Sequence, residues 1–428
     1  MHELTALIKE DMKPALGVTE PAAIAFAVAS ARRHTAGTVR SVALELNSGM
    51  YKNAFTCGIP GSGETGIVHA AALGAVGADP DKGLECLDGA AEKHERQAKE
   101  LAASGRITVE MTDITSRIFI KASVTTDEGN ASVTIRGSHT NIVCITENGR
   151  TVFEKPAEPE SADGTEAEPP LIHRYTVNEL YSYAMTIPKQ EIFFVGNAIE
   201  MNLNLCKAGL LSLETPYTHF LFKENGDCFF SKDERKTAAL LCAAAVEARV
   251  LGISVPAMSI TGSGAHGIIA SLPIYASSVV CGYPAELMIR ATALSFLICM
   301  YIKEYSGKLS SFCGCAIAAG TGAACGLTLQ CGGSAEAVAY TINNMASGIT
   351  GMICDGGNHG CVMKAAAAID AAYRASAMAM GKVCIDGRHG INGRMPEQTM
   401  RNMGLIASPG MTGTEKTIID ILEHKMGE

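Results

Sequence analysis

Two cysteines stand close together in the segment GMICDGGNHGCVMK, and their side chains are of a kind that binds metals. They are Cys354 and Cys361, and a metal site would use their thiolate forms. Their spacing does not fit the common zinc patterns, in which about two to four residues separate paired ligands, and it is not the compact ferredoxin run. The pair alone is equally compatible with a place in the core. The surrounding glycines leave room for a ligand, which favours metal binding.

A third cysteine that could join them, Cys313, lies upstream in SGKLSSFCGCAIAAG. Cys315 follows two residues later, and a Cys-x-Cys pair flanked by glycines is unusual in a segment that only fills a core. The chain has 15 cysteines in all. In a cytoplasmic protein they are not expected to form disulfides, so most should be small buried side chains, as in LLCAAAV and FLICMY.

Several polar residues lie beside glycine-rich breaks or strand ends and could bind substrate or move protons. His266 in ITGSGAHG titrates near neutral pH, which suits proton transfer, and Ser263 lies in the same break. Lys52 and Asn53 follow a predicted strand and could bind a carboxylate. Both pairs also have plain structural interpretations, as a helix-end cap and as a solvated strand end.

Four further polar residues have a structural and a functional interpretation. His139 and Asn141 stand in SHTN, where a strand series ends, and stabilisation of a turn is the default. Lys364 follows Cys361 by three residues, so the two would share a face if a helix begins there. This lysine could hold a substrate carboxylate or balance the charge of a metal centre. Glu20, in the first turn of a predicted helix, is well placed for the helix dipole.

The elements that must position these residues fall into two parts. Residues 1–153 mix helices and strands. TEPAAIAFAVASARRHT predicts a helix with Thr19 as N-cap, VRSVALELNSGM alternates like a half-buried strand, and DEGN predicts a hairpin turn between two further strands. Residues 171–428 are almost entirely helical in pattern, with glycine-rich breaks that bring backbone N–H groups to helix ends. We therefore predict an α+β fold, with an N-terminal mixed α/β domain and a larger, mostly all-α C-terminal domain with Gly-rich loops.

The two parts are separated by residues 154–170, EKPAEPESADGTEAEPP. This segment holds four prolines and six acidic residues, and it has no aliphatic side chain larger than alanine. Such a composition cannot form a core, so we predict a surface linker and a domain boundary there.

The composition argues against several classes of function. The net charge is −9 without a basic block, which disfavours nucleic-acid binding. The glycine-rich stretches lack the lysine and Ser/Thr of a phosphate-binding loop. The N-terminus lacks a signal pattern, and charges bound the apolar run in MIRATALSFLICMYIKEY too closely for it to span a bilayer. We expect a cytoplasmic protein that binds no membrane, and we leave a homo-oligomer open.

The whole chain resembles the L-cysteine desulfidases of bacteria and archaea, which are related to the alpha subunit of iron–sulfur L-serine dehydratases. The matching segments keep their order and spacing along the chain, which is more specific than any single motif. They are KPALGVTEPAAIAFA, MYKNAFTCGIPGSG, HTNIV, TGSGAHGIIASLP, SGKLSSFCGCAIAAGTGAA, INNMASGITGMICDGGNHGCVMK and the closing GMTGTEKTIIDI.

This resemblance implies an oxygen-labile 4Fe–4S cluster held by Cys313, Cys354 and Cys361. Three ligands for four irons leave one iron open, and an open metal position acts as a Lewis acid. The open iron would bind the substrate carboxylate and the leaving group, while a base removes the α-proton. The implied reaction is a β-elimination that converts L-cysteine to pyruvate, ammonia and sulfide.

One residue near the N-terminus departs from the resembled pattern. The family has GCTEP there, with its cysteine as the proposed proton acceptor, whereas this chain has GVTEP and therefore Val18. Valine cannot accept a proton, so another group serves as base, the reaction differs, or activity is lost. The CDG loop also differs and introduces His359, for which a solvated loop position is the default. The candidate catalytic residues are His266 and Lys364, and the candidate substrate ligands are Lys52, Asn53, Ser263, His139 and Asn141.

Three hypotheses about function follow from these residues. The leading one is an iron–sulfur lyase acting on a small β-substituted L-amino acid, with cysteine ahead of serine. The second is a lyase with an altered substrate, because the proton-transfer position has changed. The third is a non-catalytic, cluster-bearing protein that binds or senses an amino acid.

Overall fold

The computed structural model describes residues 1–115, 117–156, 169–307 and 309–426. It confirms the α+β class, because the N-terminal part combines helices with a sheet and the C-terminal part is mostly helical. Most of the predicted linker, residues 157–168, lies outside the described residues. The domain boundary at 154–170 therefore stays a prediction.

The elements before the linker form a mixed sheet with helices packed on it. They are α1 (Glu3–Asp11), β1 (Lys13–Leu16), α2 (Thr19–Arg33), β2 (Val39–Leu46), α3 (Ser48–Ala54), α4 (Gly66–Val76), α5 (Ala90–Ala103), β3 (Ile107–Met111), β4 (Phe119–Thr126), β5 (Asn130–Arg136), β6 (Ile142–Glu147) and β7 (Arg150–Glu154). The sheet order is β3-β2-β4-β5-β6-β7, with β2 and β3 parallel and the other neighbours antiparallel. Buried side chains alternate along β4 and β5, and this face packs with α2 and α4 into one apolar cluster.

Two local predictions for this part can be compared with the structure. The DEGN hairpin joins β4 to β5, and its turn is closed by the Thr126 N–H, which donates to the Gly129 carbonyl at 2.8 Å. The helix predicted from Thr19 begins there, but Val18 is the N-cap. The prediction of Thr19 as the cap was therefore wrong by one position, and its hydroxyl donates to Glu20 at 3.0 Å instead.

The elements after the linker form a helical assembly with one short strand. They are α6 (Val177–Thr186), α7 (Lys189–Ile192), α8 (Gly196–Leu211), α9 (Pro216–Glu224), α10 (Glu234–Val250), β8 (Pro256–Ser259), α11 (Gly264–Cys281), α12 (Ala285–Ser306), α13 (Gly320–Gln330), α14 (Ala335–Ile349), α15 (Gly360–Met380), α16 (Pro396–Leu405) and α17 (Thr412–Met426). Small residues let the central helices approach closely. A Cβ on Gly326 of α13, for example, would lie 2.8 Å from the Ala291 carbonyl oxygen of α12.

Chain segments cross between the two parts in both directions. Leu4 and Ile8 of α1 lie in the apolar core of the helical part, and β1 pairs antiparallel with β8. In the opposite direction, Leu309 and Ile419 lie in the core of the N-terminal part. The elements that carry the candidate site therefore come from both sides of the predicted boundary.

Two described helices are long and apolar enough to cross a membrane, α11 and α12. The charges of Arg290 and Lys303 predict an apolar run too short to span a bilayer, but α12 extends past both residues at its two ends, so its length and composition alone do not exclude a span. The apolar windows of the two helices are 78% and 72% buried inside the protein. That degree of burial is typical of core helices.

Candidate functional site

The first two cysteines of the trio lie on adjacent extended segments. Phe312 and Ile353 form an isolated antiparallel bridge, which aligns the segment before α13 with the loop before α15. The Cys313 N–H donates to the Met352 carbonyl at 3.1 Å, and the Cys354 N–H donates to the Ser311 carbonyl at 2.6 Å. These backbone bonds bring together two cysteines that are distant in sequence.

Cys361 joins them from the first turn of α15. Its thiol donates to the Gly356 carbonyl at 3.4 Å, so the side chain points back into the CDG loop. Burial, together with the nearby Cys354 and Cys313 thiols, raises the pKa of Cys361 to about 11. Cys315 lies on the edge of the trio, with its Sγ 3.4 Å from the Cys313 Sγ. The structure therefore brings all three predicted cysteines together.

Glycines of the CDG loop allow it to lie directly on α3 and α2. Gly356 has φ +109°, and a Cβ there would lie 2.5 Å from the Lys52 carbonyl oxygen. A Cβ on Gly357 would lie 3.1 Å from the Cys57 Cβ and 3.4 Å from Val18 Cγ2. Larger residues at either position would push the loop, and Cys354 with it, away from the N-terminal part.

Three lysine side chains surround the thiols and are largely withdrawn from water. Lys52 is 1% exposed and Lys303 6% exposed, and Lys364 is half-buried. The charge of each acts on at least two of the cysteines. The pKa of Cys313 and Cys361 is nevertheless raised, because the bond from Cys315 and burial act on Cys313, and burial acts on Cys361, more strongly than the charge of Lys364 does.

Lys52 and Lys364, two predicted site residues, already have strong partners. The Lys52 ammonium donates to the Ser310 carbonyl at 3.1 Å and the Cys354 carbonyl at 3.0 Å, and it lies 3.3 Å from Glu415 of α17. Lys364 pairs with Asp355 of the CDG loop. Burial alone would lower the pKa of both lysines, but their acidic and thiol neighbours raise it above the usual range. Both ammonium groups therefore stay charged and fix the cysteine loop.

Asn53 links the thiols to a buried carboxylate. Its amide nitrogen donates to Glu20 at 2.9 Å, and its oxygen lies 3.8 Å from the Cys354 Sγ. Burial alone would raise the pKa of Glu20, but His139, the bond from Asn53 and the charge of Arg249 together hold it below its usual range. Glu20 is therefore an ionised carboxylate inside the protein, and His139 lies near enough to act on it.

Val18 lies where the resembled family has its proton-accepting cysteine, and a thiol lies beside it. Val18, Cys57 and Val250 form a small apolar cluster against which Cys361 packs. The Gly58 N–H donates to the Val250 carbonyl at 2.7 Å, which holds Cys57 there. Burial and the charge of Glu20 raise the pKa of the Cys57 thiol far above its usual range. Cys57 is therefore a neutral thiol in the described structure.

His266 lies against the cysteine segment from the start of α11. Its Nδ1 is 2.5 Å from the Thr261 hydroxyl, which itself donates to the Ile260 carbonyl at 2.7 Å. Since that hydroxyl proton is used, Nδ1–H is the donor and Nε2 carries the lone pair. A Cβ on Gly314 would lie 2.6 Å from Nε2, so this nitrogen faces the residue after Cys313. Burial and the charges of Lys303 and Arg249 lower the pKa of His266 well below its usual range.

The remaining predicted ligands, Ser263 and Asn141, have mainly local contacts. Ser263 is the N-cap of α11 without a side-chain cap bond, and its backbone pairs with Ile260. The Asn141 amide donates to the Arg136 carbonyl at 2.9 Å and its oxygen accepts from Lys155 at 2.6 Å. Asn141 thus stabilises an exposed turn, and these contacts do not bring it to the thiols.

His359, expected on a solvated loop, has a buried acidic partner. It precedes α15, and its Nδ1 lies 3.2 Å from Glu247 Oε1. The Glu247 side chain is fully buried and also accepts from the Thr218 N–H at 2.8 Å and its hydroxyl at 2.6 Å. The loop histidine therefore anchors the start of the helix that carries Cys361.

Four residues of the site were not predicted from the sequence: Arg249, Lys303, Cys57 and Glu415. The two basic residues interrupt apolar helical patterns, Arg249 in LLCAAAVEARVLG and Lys303 in MIRATALSFLICMYIKEY. That interruption was the available signal, because a charge within a buried helix has to face a partner or a ligand. Cys57 lay within a matching segment but was one thiol among many, and Glu415 lies far along the chain from Lys52.

Comparison with known proteins places the chain in a family. The sequence profile described as serine dehydratase alpha chain matches residues 81–420. The chain is 38% identical over 419 residues to a UPF0597 protein of Clostridium botulinum, and the match covers 97% of each. A UPF0597 protein of Caldanaerobacter subterraneus is 36% identical over 422 residues, which are 99% of this chain and 98% of that protein. One of Bacteroides fragilis is 34% identical over 433 residues, with the same two coverages. Since the profile matches well over half of the chain, this protein belongs to the serine dehydratase alpha chain family.

Proposed function

We propose that this chain is an iron–sulfur-dependent lyase that catalyses β-elimination on a small L-amino acid. L-Cysteine, giving pyruvate, ammonia and sulfide, is the first candidate substrate, and L-serine is the second. The observation that carries the proposal is the convergence of Cys313, Cys354 and Cys361 beside the buried, ionised Glu20. We further propose that the protein acts in the cytoplasm, and we leave a homo-oligomer open.

The donor set fits a cluster better than a single ion. Within the described residues, no three His, Cys, Asp or Glu side chains lie close enough to share one metal ion. Thiolates that each bind a different iron of a cluster lie farther apart than thiolates sharing one ion. The surrounding lysines, Lys52, Lys303 and Lys364, would offset the negative charge of three thiolates and the cluster sulfides. Cys313, Cys354 and Cys361 are the residues that would hold a 4Fe–4S cluster.

When bound, such a cluster would supply a Lewis acid at its open iron, which stabilises the departing sulfide or hydroxide. The residues of the chain would do the rest. Lys52, Lys364 and His359 hold the cysteine loop through their partners Glu415, Asp355 and Glu247. The apolar side chains of Val18 and Val250, against which Cys361 packs, would keep water away from the reacting carbon.

The α-proton needs an acceptor other than residue 18. His266 Nε2 carries a lone pair and faces the cysteine segment, so we propose it as this base. The aminoacrylate formed by elimination then takes up water and releases ammonia and pyruvate. Lys364, proposed earlier as catalytic, acts in this scheme through Asp355 as a positioning residue.

Anaerobic purification with iron and sulfide reconstitution tests the proposal. We expect a brown protein whose visible absorbance bleaches in air and which releases sulfide and pyruvate from L-cysteine. Cys354→Ser should lose both properties. Cys325→Ser, which changes a buried thiol on α13 outside the site, should keep them.

A second candidate function is a cluster-bearing sensor or binding protein for an amino acid. The observation that favours it is Val18, which removes the proton acceptor of the resembled family. A protein that is brown and binds amino acids but releases no pyruvate from cysteine or serine would support this candidate over the lyase.

A further inference from the structure

Arg249 is a buried cation with one hydrogen-bond donor that is unsatisfied among the described residues. It lies near the end of α10 and is 6% exposed. Its Nε is fully buried and has no hydrogen-bond partner among the described residues. A guanidinium has five N–H donors, and withdrawing it from water without acceptors costs free energy. A side chain kept in this state indicates an anionic ligand that supplies the missing acceptors.

Arg290 shows the ordinary alternative for a largely buried arginine in this protein. Its side chain is 13% exposed, and it donates to the Ala184 carbonyl at 2.8 Å, the Ile187 carbonyl at 3.0 Å and Glu286 at 2.8 Å. The protein satisfies that guanidinium internally. The unpaired donor of Arg249 therefore reflects the surroundings of that residue, because the same protein does pair Arg290.

Those surroundings are the candidate active site. Arg249 runs past Gly264 at the start of α11, where a Cβ would lie 2.8 Å from Nε. Its charge acts on Glu20, Cys57 and His266. The next residue, Val250, belongs to the small cluster against which Cys361 packs. Arg249 thus lies near the buried carboxylate of Glu20 and the Cys57 thiol.

We propose that Arg249 binds the α-carboxylate of the substrate through a two-point hydrogen bond, while Glu20 accepts a hydrogen bond from its ammonium group. Planar arginine matches carboxylate geometry better than lysine does, and both lysines predicted as carboxylate ligands are already paired. Glu20 accepts one bond on each oxygen, from Asn53 and Thr19, and so retains lone pairs. The two opposite charges select a zwitterionic α-amino acid.

This inference rests on the proposed function for its chemistry, but binding can be measured without turnover. The probe is L-alanine, which has no leaving group, titrated calorimetrically into the full-length protein with and without the reconstituted cluster. Arg249→Gln should weaken L-alanine binding at least 100-fold. Arg249→Lys should retain part of the affinity, and the control Arg290→Gln should leave it within about twofold.

Two further readouts separate ligand recognition from a structural role. Arg249→Gln breaks no hydrogen bond among the described residues, so it should lower the melting temperature less than Arg290→Gln does. Propionate, which keeps only the carboxylate, should bind more weakly than L-alanine and lose its binding in Arg249→Gln. Ethylamine, which lacks the carboxylate, should bind the parent and Arg249→Gln equally.

The outcomes distinguish this inference from the proposed reaction. An inactive protein whose L-alanine binding depends on Arg249 would refute the lyase and support the inference. An active lyase whose KM and L-alanine affinity are unchanged in Arg249→Gln would refute the inference and leave the lyase standing. Failure of L-alanine to bind the parent protein in either form would also overturn it.

Discussion

Lys52→Met should be among the most damaging single changes in this protein. The side chain is fully buried, and its ammonium joins three groups: the Ser310 carbonyl, the Cys354 carbonyl and Glu415. Methionine fills a similar volume but leaves Glu415 as a buried charge without its cation. Removing one partner of a buried pair costs about 3–5 kcal/mol, and two carbonyls lose a charged donor as well. We therefore expect a loss of about 4 kcal/mol in the free energy of unfolding.

The assay is urea unfolding of the metal-free protein, followed by circular dichroism, so that cluster binding does not add to stability. Glu415→Gln and the double variant complete a cycle. Since the double variant has no unpaired charge, its loss should be smaller than the sum of the single losses by about 2 kcal/mol. Lys99→Met is the matched control, because Lys99 is 49% exposed and pairs with Glu95 at the surface. It should cost less than about 1 kcal/mol.

Two results would refute this reasoning about Lys52. One is a loss of stability no larger than that of Lys99→Met. The other is strict additivity of the Lys52 and Glu415 changes, since uncoupled effects would mean that the two charges do not stabilise each other.

Three further predictions concern residues around the cysteine loop. Gly356→Ala should destabilise the loop and lower iron incorporation, because φ is +109° and a Cβ would lie 2.5 Å from the Lys52 carbonyl oxygen. Gly348→Ala, whose Cβ would meet nothing within 4 Å, should be harmless in the same iron assay. Because His266 is the proposed base, Val18→Cys and Val18→Ala should both leave pyruvate release from L-cysteine within about threefold of the parent, and a gain of about tenfold or more in Val18→Cys alone would mean that His266 does not supply the base. Because the pKa of Glu20 is held below its usual value of 4.5, its ionised carboxylate should contribute a constant amount to stability above that pH. This contribution should fall as the pH drops through the pKa of Glu20 in the folded protein. Glu20→Gln should therefore remove the loss of melting temperature at acid pH, and an unchanged pH profile would contradict this prediction.

Local sequence patterns predicted the local parts of the fold. Alternation marked β2, turn residues marked the β4–β5 hairpin, and glycine-rich breaks marked the ends of the central helices. The pairing of β1 with β8, which are far apart in the chain, left no such pattern. It depends on long-range packing, which periodicity does not encode.

The candidate site likewise contains residues that local sequence patterns indicate and residues that only tertiary contacts reveal. The three cysteines were found because their residue type and the resemblance pointed to them. Arg249 and Lys303 carry charges whose meaning depends on what faces them, and that is set by tertiary contacts. Asn141 shows the reverse case, because a residue chosen from a matching motif has turn contacts with Arg136 and Lys155.

The most direct test of the iron–sulfur proposal is iron analysis after strictly anaerobic reconstitution, combined with visible absorbance. We predict about four irons per chain and an oxygen-sensitive brown chromophore in the parent protein, both lost in Cys313→Ser, Cys354→Ser and Cys361→Ser and both kept in Cys325→Ser. A colourless, iron-free parent protein after reconstitution, or a cluster that survives loss of any one of those three cysteines unchanged, would contradict it.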